Sequence, residues 1–377
     1  MERPDPAGDV LAQGMEALRA LLGEGWAVRE EPGQESEGLG TLFSLAPVGD
    51  GIIAQLLVED WPALTPREVE KVLGPKAHLL RHLRHHTNLM VVAPWLSAKT
   101  QQLLTMNGIG YLDLTGNVGL RISRPAVFIH TVGAVRSPHP TSQTNKGRAT
   151  LAGPKAGRLV RLLTDVRPPY RAGEIAEAAS LSLPYVSRLL DTLEEQLLIQ
   201  RNGRVIGDVD WPGLLRARAA ETSLLRPDAY FGMVATNGIE SVLTSLSALP
   251  AEEWDGLAVT GSIAARQVSP LTAGGQLMVY VANRLAIDED LEDALGLLPA
   301  QEYADVILLR PSDDVVFERL RQVGGRQEVS LSQLALDCLS GPGRLPAEGE
   351  AVIKEMLLQE KTWRVSNISD LRQRPLP

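Results

Sequence analysis

The sequence predicts a multidomain protein of mixed α/β and α+β class, and three observations lead to this prediction. Helix and strand patterns alternate over residues 1–135, and they alternate again over residues 216–377. Between them, residues 155–215 show three helical patterns and two short strands, the order of a winged helix-turn-helix. A chain of 377 residues is also too long for one ordinary hydrophobic core.

The N-terminal part begins with apolar residues at helical spacing over Val10–Leu22. Three short strands separated by turn residues are predicted next, at Trp26–Glu31, Thr41–Val48 and Ile52–Glu59. Thr65 is expected to cap the following helix, with Glu68 completing a capping box. The continuous apolar run Leu89–Ala93 predicts a buried strand.

The C-terminal part repeats this alternation. We predict strands at Leu257–Thr260, Leu277–Ala282 and Asp305–Leu309, and helices at Asp313–Gln322, Ser332–Leu339 and Ala347–Glu360. An α/β regulatory or partner-binding domain is therefore expected over residues 216–377.

Positive charge is concentrated ahead of and within the winged-helix pattern. The whole chain has a net charge of −9, yet between residues 136 and 171 the one acidic residue is Asp165. The cations in the same stretch are Arg136, Lys146, Arg148, Lys155, Arg158, Arg161, Arg167 and Arg171. Residues 136–154 are also polar and rich in Pro and Gly, which predicts an exposed basic linker. A local basic patch on an acidic body suits site-limited binding to DNA phosphates.

The three helices are predicted at Lys155–Leu163, at Ala172–Ala179 and after Ser182, which can cap the third helix. Apolar residues anchor one face of that third helix: Val186, Leu189, Leu190 and Leu193. Tyr185, Ser187 and Arg188 then lie on its outer face, where a recognition helix meets base edges.

The two strands follow in LLIQRNGRVIGDV, around an Asn202-Gly203 pair suited to a type I′ hairpin. Arg201 and Arg204 flank the tip, where a wing contacts phosphates or the minor groove. The candidate DNA-binding residues are Ser182, Tyr185, Ser187, Arg188, Arg201, Asn202, Arg204, Arg158 and Arg161. Arg188 is expected to contact a guanine, and the other arginines phosphates. The alternative is a helical hairpin and β-ribbon used for dimerisation or domain docking.

Composition limits the classes of protein to which the chain can belong. Cys338 is the one cysteine, which excludes an intrachain disulfide and a thiolate metal cluster. No apolar run approaches the ~20 residues that span a bilayer. The N-terminus MERPDPAGDV is unlike a signal peptide, so we expect a cytoplasmic protein. We predict no cofactor, no metal and no catalytic residue.

Other polar clusters are better explained by ordinary structural roles than by catalysis or ligand binding. His78 and His82 have the i, i+4 spacing of a metal pair, but the helix with His85 and His86 is better interpreted as a solvated basic face. Asp113 in GYLDLTGN is expected to close a turn with Thr115 or Asn117. Ser262, after the strand Leu257–Thr260, is explained by helix capping as well as by anion binding.

Several blocks resemble the AbiEi-type antitoxin transcriptional regulators of type IV toxin–antitoxin systems. They are LMVVAPWLSAKTQQLLTMNGIGYLDLTGNVGLRI, LAVTGSIAARQVSP and LSQLALDCLSGPGRLPAEGEAV. The resemblance implies a winged helix joined to an N-terminal fold reminiscent of restriction endonucleases. The catalytic acids and lysine of such a fold are incomplete here: Gln55 or Glu59 could fall at the position of the acid, but Leu57 and Trp61 stand where the lysine belongs. The C-terminal domain is similar to nucleotidyltransferases at its Thr-Gly-Ser turn but lacks the paired aspartates.

The sequence therefore predicts a non-enzymatic, site-specific regulator of transcription that binds double-stranded DNA, as a homodimer on two half-sites. A toxin protein and a small-molecule effector are candidate partners of the flanking domains. Two alternatives remain: a metal-dependent nuclease using Glu59, Asp60 and Asp113, and an antitoxin that captures a toxin protein without contacting DNA.

Overall fold

The computed structural model describes residues 6–31, 40–49, 51–83, 87–134, 149–249, 255–269, 275–300 and 302–372. The chain divides into two units, one of residues 1–148 with 192–197 and the other of residues 149–191 with 198–377. The second unit thus holds most of the winged-helix segment together with the C-terminal strands. A separate domain boundary between the winged helix and the C-terminal domain at residue 215 stays a prediction. No helix in the described ranges is both long and apolar enough to cross a membrane.

The first unit is built on a seven-stranded mixed sheet whose strands lie in the order of the sequence. These are β1 (Trp26–Glu30), β2 (Thr41–Pro47), β3 (Ala54–Asp60), β4 (Thr87–Ala93), β5 (Gly110–Asp113), β6 (Val118–Ile122) and β7 (Val127–Thr131). The pairs β3–β4 and β4–β5 are parallel because a helical crossover joins each pair, and the outer pairs are antiparallel.

Helices cover both faces of this sheet. On one face α1 (Pro6–Leu22) packs its buried Met15 and Leu18 against alternate sheet residues such as Met90 and Val92. The other face is covered by α2 (Pro66–Glu68), a π-helical turn (Val69–Leu73), α3 (Gly74–Leu83) and α4 (Ala98–Met106). The predicted capping box is confirmed, because Thr65 N donates to Glu68 Oε2 (2.7 Å) and Glu68 N donates to Thr65 Oγ1 (3.3 Å).

The winged-helix elements follow the predicted order. They are α5 (Pro154–Asp165), β8 (Tyr170–Arg171), α6 (Ala172–Ala178), α7 (Leu183–Glu195), β9 (Ile199–Asn202), β10 (Val205–Val209) and α8 (Trp211–Glu221). The three strands form an antiparallel sheet in the order β8-β10-β9.

The C-terminal sheet has seven strands in the order β14-β11-β15-β13-β12-β17-β16. They are β11 (Tyr230–Ala235), β12 (Leu257–Thr260), β13 (Leu277–Val281), β14 (Leu297–Pro299), β15 (Val306–Leu309), β16 (Arg321–Val323) and β17 (Arg326–Glu328). The helices are α9 (Ile239–Ala248), α10 (Gly261–Val268), α11 (Glu289–Leu295), α12 (Leu331–Ser340), α13 (Leu345–Leu358) and α14 (Glu360–Trp363). Two 3-10 turns, Asp314–Phe317 and Ile368–Arg372, complete the described chain. The mixed α/β class predicted from sequence is therefore observed.

The helix predicted over Asp313–Gln322 is wrong. The structure has the 3-10 turn there and then the hairpin of β16 and β17. Arg319 has a positive φ of 58°, and Gly324 and Gly325 have φ of 58° and 80°, values that a helix does not accommodate. The glycine pair makes the hairpin turn, and this local signal overrides the helical spacing upstream.

The end of the chain joins the winged helix to the C-terminal part of the second unit. Arg364 Nη2 donates to the carbonyls of Leu163 (3.2 Å) and Val166 (2.7 Å), which close α5. Val365 forms a parallel bridge with Val166. The rings of Trp211 and Trp363 meet edge to face with 5.1 Å between their centroids.

Candidate DNA interface

The recognition helix α7 has one buried apolar side and one outward-facing polar side. Val186, Leu189, Leu190 and Leu193 are at most 1% exposed, as the apolar spacing predicted. At its start, the carbonyl of Ser182 accepts from the backbone N–H of Tyr185 and Val186, both at 3.0 Å. The outward positions are those predicted from sequence: Ser182 and Arg188 are exposed, and Tyr185 and Ser187 are half-buried.

The turn that precedes α7 is tight. Ser180 adopts a positive φ of 53°, and Leu181 N donates to the Ala176 carbonyl at 2.8 Å. Glu174 holds the other end of α6, because its carboxylate accepts from Arg171 N at 2.7 Å. The first contact holds the turn between α6 and α7, and the second caps the start of α6.

Tyr185 lies within reach of two cations. Burial raises the pKa of its phenol, whereas the charges of Arg218 and Arg188 lower it. Arg218 is buried below the first turn of α5, and Arg188 stands on the outer face of α7.

The wing is the hairpin of β9 and β10, and its turn differs from the prediction. Asn202 pairs with Val205, so the two turn residues are Gly203 and Arg204. Gly203 has a positive φ of 63°, and Arg204 does not. Glycine at the first turn position with one positive φ fits a type II′ turn better than the predicted type I′. The tip exposes Asn202, Gly203 and Arg204.

Arg201 is engaged within the winged helix. Its Nη2 lies 2.7 Å from Asp191 Oδ1 on α7, and its side chain is 22% exposed. The arginine therefore ties the wing to the recognition helix, and a phosphate would compete with Asp191 for it.

The two arginines of α5 differ in environment. Arg158 Nε donates to both carboxylate oxygens of Asp313 (2.8 and 3.0 Å), and its side chain is 40% exposed. Arg161 is 2% exposed, with Nη1 donating to Gln333 Oε1 (2.6 Å) and Nη2 to the Glu318 carbonyl (3.3 Å). The prediction that Arg161 contacts phosphate is therefore corrected, because its guanidinium is enclosed by the C-terminal part of the unit.

The predicted basic linker lies mostly outside the described residues, including Arg136, Lys146 and Arg148. Arg167 donates to the carbonyls of Lys361 and Arg364 and so anchors the end of the chain. Lys155 and Arg171 are exposed.

Comparison with known proteins identifies this segment. Residues 155–203 match the family model of the IclR helix-turn-helix domain. The chain carries an IclR-type helix-turn-helix. The match extends from the first turn of α5 to the turn of the wing, so it includes all three helices of the motif. No curated protein and no solved structure matches the chain. The resemblance to AbiEi-type regulators and to endonuclease folds therefore stays a prediction.

An IclR-type helix-turn-helix is a DNA-binding domain of transcriptional regulators, and this supports a regulator of that general kind. The sequence patterns missed two residues around this domain. Arg218 was not singled out because nothing in the sequence of α8 marks it as buried beside α5. Gly153 was not singled out either, although a Gly-Pro pair before a helical pattern is a signal for a helix start.

Two of the polar residues considered for catalysis, Asp113 and Glu59, have structural partners. Asp113 accepts five hydrogen bonds, from Leu96 N, Thr115 N and Oγ1, and Asn117 N and Nδ2, at 2.7–3.1 Å. The expected turn around Asp113 is thus present. Glu59 contacts Lys76 Nζ and accepts from Trp61 Nε1 (3.1 Å).

The histidine helix is described as far as residue 83, so His85 and His86 lie outside the described residues. His78 and His82 are exposed with 4.5 Å between ring centroids. Among the described residues, no three His, Cys, Asp or Glu side chains are arranged to hold a metal.

Proposed function

We propose that this protein is a sequence-specific transcriptional regulator that reads double-stranded DNA with the outer face of α7 and with its wing. The observation that supports this most directly is the arrangement of side chains on α7, which belongs to a domain of DNA-binding type. Its apolar residues are buried, whereas the outward positions are Ser182, Tyr185, Ser187 and Arg188. A helix of this length and exposure fits the major groove, which is about 12 Å wide.

Each exposed residue has a role in this proposal. Arg188 donates to a guanine edge, the commonest specific contact in the major groove. Tyr185, Ser182 and Ser187 position the helix through phosphate or base contacts. Arg204 and Asn202 contact the backbone or the minor groove from the wing tip. Arg158 contributes a partly exposed charge, whereas Arg161 has no place in the interface.

Two copies on two half-sites would follow from the usual symmetry of such regulators. A toxin partner, a small-molecule effector and nuclease activity are left out of the proposal, because no described contact argues for any of them.

The proposal is tested by selecting duplexes from a random library with the wild-type chain and measuring affinities by fluorescence anisotropy. Arg188→Ala should weaken binding to the selected duplex by roughly tenfold or more, because a bidentate base contact contributes ~1–3 kcal/mol of discrimination. Binding of the variant to a random-sequence duplex should change little. Arg204→Ala should weaken both complexes and reduce the salt slope by about 1.

Arg29→Ala serves as the control, since it removes an equal charge from an exposed position in the other unit. If Arg188→Ala and Arg204→Ala both bind the selected duplex with wild-type affinity, this surface does not read DNA.

A further inference from the structure

Positive charge is concentrated in the second half of the first unit. Between Glu70 and Asp165 the one acidic residue of the sequence is Asp113, although the whole chain has a net charge of −9. The Asp113 carboxylate is enclosed by its five hydrogen bonds and the residue is 1% exposed, so it presents little negative charge at the surface. The described lysines and arginines of this half are Lys71, Lys76, Arg81, Lys99, Arg121 and Arg124.

The strands β6 and β7 present one face of the sheet to solvent. The residues on their other face belong to the core beneath α1: Val118, Leu120, Ile122 and Val127. On the outward face, Arg121 is paired with Phe128, and Gly119 with His130, across the antiparallel ladder. Residues paired in this way point to the same side of the sheet. Phe128 is 77% exposed, and Arg121 and His130 are exposed beside it.

The helices on this side of the sheet do not extend beyond β5. Tyr111 of β5 is 3% exposed and belongs to the core that α3 and α4 cover. Its ring lies against Gly119, where an added Cβ would lie 2.5 Å from Tyr111 Cε1. The outward face of β6 and β7 is therefore open to solvent beyond the ring of Tyr111. We call this surface the β6–β7 platform, and its residues are Arg121, Arg124, Phe128 and His130.

The two arginines of the platform are not engaged by the described part of the chain. Among the described residues, no carboxylate or other acceptor contacts the guanidinium of Arg121, or that of Arg124 in the turn between the strands. By contrast, Arg158, Arg216 and Arg326 each pair with a carboxylate. A negatively charged ligand would therefore meet both platform arginines without displacing an acidic side chain of the described chain.

An exposed ring beside such arginines fits a single strand of DNA. Bases stack on aromatic rings, and arginines attract the phosphates of the same strand. The bases of a duplex are stacked on one another, so only an unpaired strand can use the ring of Phe128. A second copy docking through this face would bring further cations and no exposed acid. DNA is favoured over other polyanions because the same chain carries a domain of DNA-binding type.

We propose that the β6–β7 platform binds single-stranded DNA, with one unpaired base stacked on Phe128 and the neighbouring phosphates held by Arg121 and Arg124. His130 lies on the same face and provides a ring N–H donor. This activity goes beyond the proposed function, which concerns duplex DNA and the winged helix of the second unit.

The test measures binding of a fluorescein-labelled oligo(dT) of about 20 nucleotides to the full chain by anisotropy. Phe128→Ala should weaken this binding by roughly tenfold and leave its salt slope unchanged, because it removes a stacking contact and no charge. Arg121→Ala should weaken binding and reduce the salt slope by about 0.7, the value for one phosphate of a single strand. Phe128→Trp should keep wild-type affinity, whereas Phe128→Leu, which is apolar but has no aromatic face, should behave like Phe128→Ala.

Two matched variants serve as controls. Phe231→Ala removes a ring that is 43% exposed on a strand of the second unit. Arg29→Ala removes an exposed charge from β1, at the opposite edge of the first unit's sheet. Both should bind oligo(dT) like the wild type. Because Phe128 is largely exposed, its replacement should leave the melting temperature unchanged, as measured by circular dichroism.

The outcomes separate this inference from the proposed function. Phe128→Ala should bind the selected duplex with wild-type affinity, and the double variant Arg188→Ala/Arg204→Ala should bind oligo(dT) with wild-type affinity. If the wild-type chain binds the selected duplex but not oligo(dT), the platform is overturned while the proposed function stands. Wild-type binding of oligo(dT) by Phe128→Ala would overturn it as well. If the chain binds oligo(dT) through Phe128 but selects no duplex, the proposed function fails and the platform stands.

Other occupants of the platform would give different results. Tighter binding of oligo(U) than of oligo(dT) would assign the platform to RNA. Binding of polyglutamate that Phe128→Ala weakens to the same extent would assign it to an acidic polypeptide. A change of oligomeric state in Phe128→Ala, measured by sedimentation, would assign it to contact between copies of the chain. Each of these three results overturns the inference.

Discussion

At the residue scale, Asp337 is a buried carboxylate surrounded by neutral donors. Thr260 Oγ1 (2.7 Å), Tyr280 Oη (3.0 Å) and Gln333 Nε2 (2.7 Å) donate to it, and it is 3% exposed. Gln333 also accepts from Arg161, so one chain of hydrogen bonds extends from α5 to β12 and β13. Burial raises the pKa of Asp337 to about 6, and the three donors limit this increase.

This raised pKa predicts a pH dependence of stability. The folded state binds the Asp337 proton more tightly than the unfolded chain, whose Asp pKa is about 3.9. The resulting stability is present below pH ~4 and is lost as pH rises through about 6. For Asp337→Asn, which cannot ionise, the stability relative to wild type should rise by on the order of 2 kcal/mol between pH 4 and 7.

Urea unfolding of both proteins, followed by tryptophan fluorescence at several pH values, measures this difference. A constant difference between the two proteins over pH 4–7 would mean that the pKa of Asp337 is not raised in the folded protein.

At the element scale, the pair of Asp191 and Arg201 connects the recognition helix to the wing. Asp191 is 60% exposed at its side chain, so the ion pair contributes little to stability. A DNA phosphate approaching the wing meets the charge of Asp191 together with an arginine that is already paired. The pair therefore opposes DNA binding if the wing contacts the backbone.

Asp191→Asn is expected to raise affinity for specific and random duplexes severalfold, while the free energy of unfolding changes by less than ~0.5 kcal/mol. Asp208→Asn on β10 removes an equal charge from the exposed side of the wing and should raise affinity less. Salt titrations of both variants measure the effect. Equal gains would mean that removal of charge alone, and not the release of Arg201, is responsible.

The sequence predicted the elements of the winged helix well because their signals are local. The apolar spacing of α7 and the capping box of Thr65 depend on residues within one turn of each other. The turn of the wing was misassigned because Asn202-Gly203 and Gly203-Arg204 are both acceptable hairpin centres, and the pairing of Asn202 with Val205 decides between them. Arg161 was misplaced because its partners Gln333 and Glu318 are more than 150 residues away.

At the scale of the whole molecule, the winged helix shares its core with the C-terminal part of the second unit. Arg161, Asp165 and Trp211 are buried, and their partners lie after residue 314: Val315, Glu318, Arg319, Gln333, Trp363 and Val365. The helix-turn-helix could be predicted as a segment, but no spacing pattern in the sequence indicates that residues after 314 pack against it.

We therefore expect a fragment of residues 149–377 to unfold in one cooperative urea transition. A fragment of residues 149–221 should lack a cooperative transition, because the buried faces of α5 and α8 would be exposed to water. Near-ultraviolet circular dichroism of the tryptophans follows the unfolding of both fragments. Cooperative unfolding of the shorter fragment at the same urea concentration would show that the winged helix is independent.

The close contact of Arg218 with Gly157 has an evolutionary consequence. An added Cβ at residue 157 would lie 2.8 Å from Arg218 Nη2, so a larger residue at 157 requires the Arg218 guanidinium to shift, and a shorter residue at 218 would leave room for it. Among relatives of this chain, a larger residue at 157 should occur together with a shorter one at 218. These two positions should therefore covary, and a transplant of α5 into another regulator would have to carry Arg218 with it.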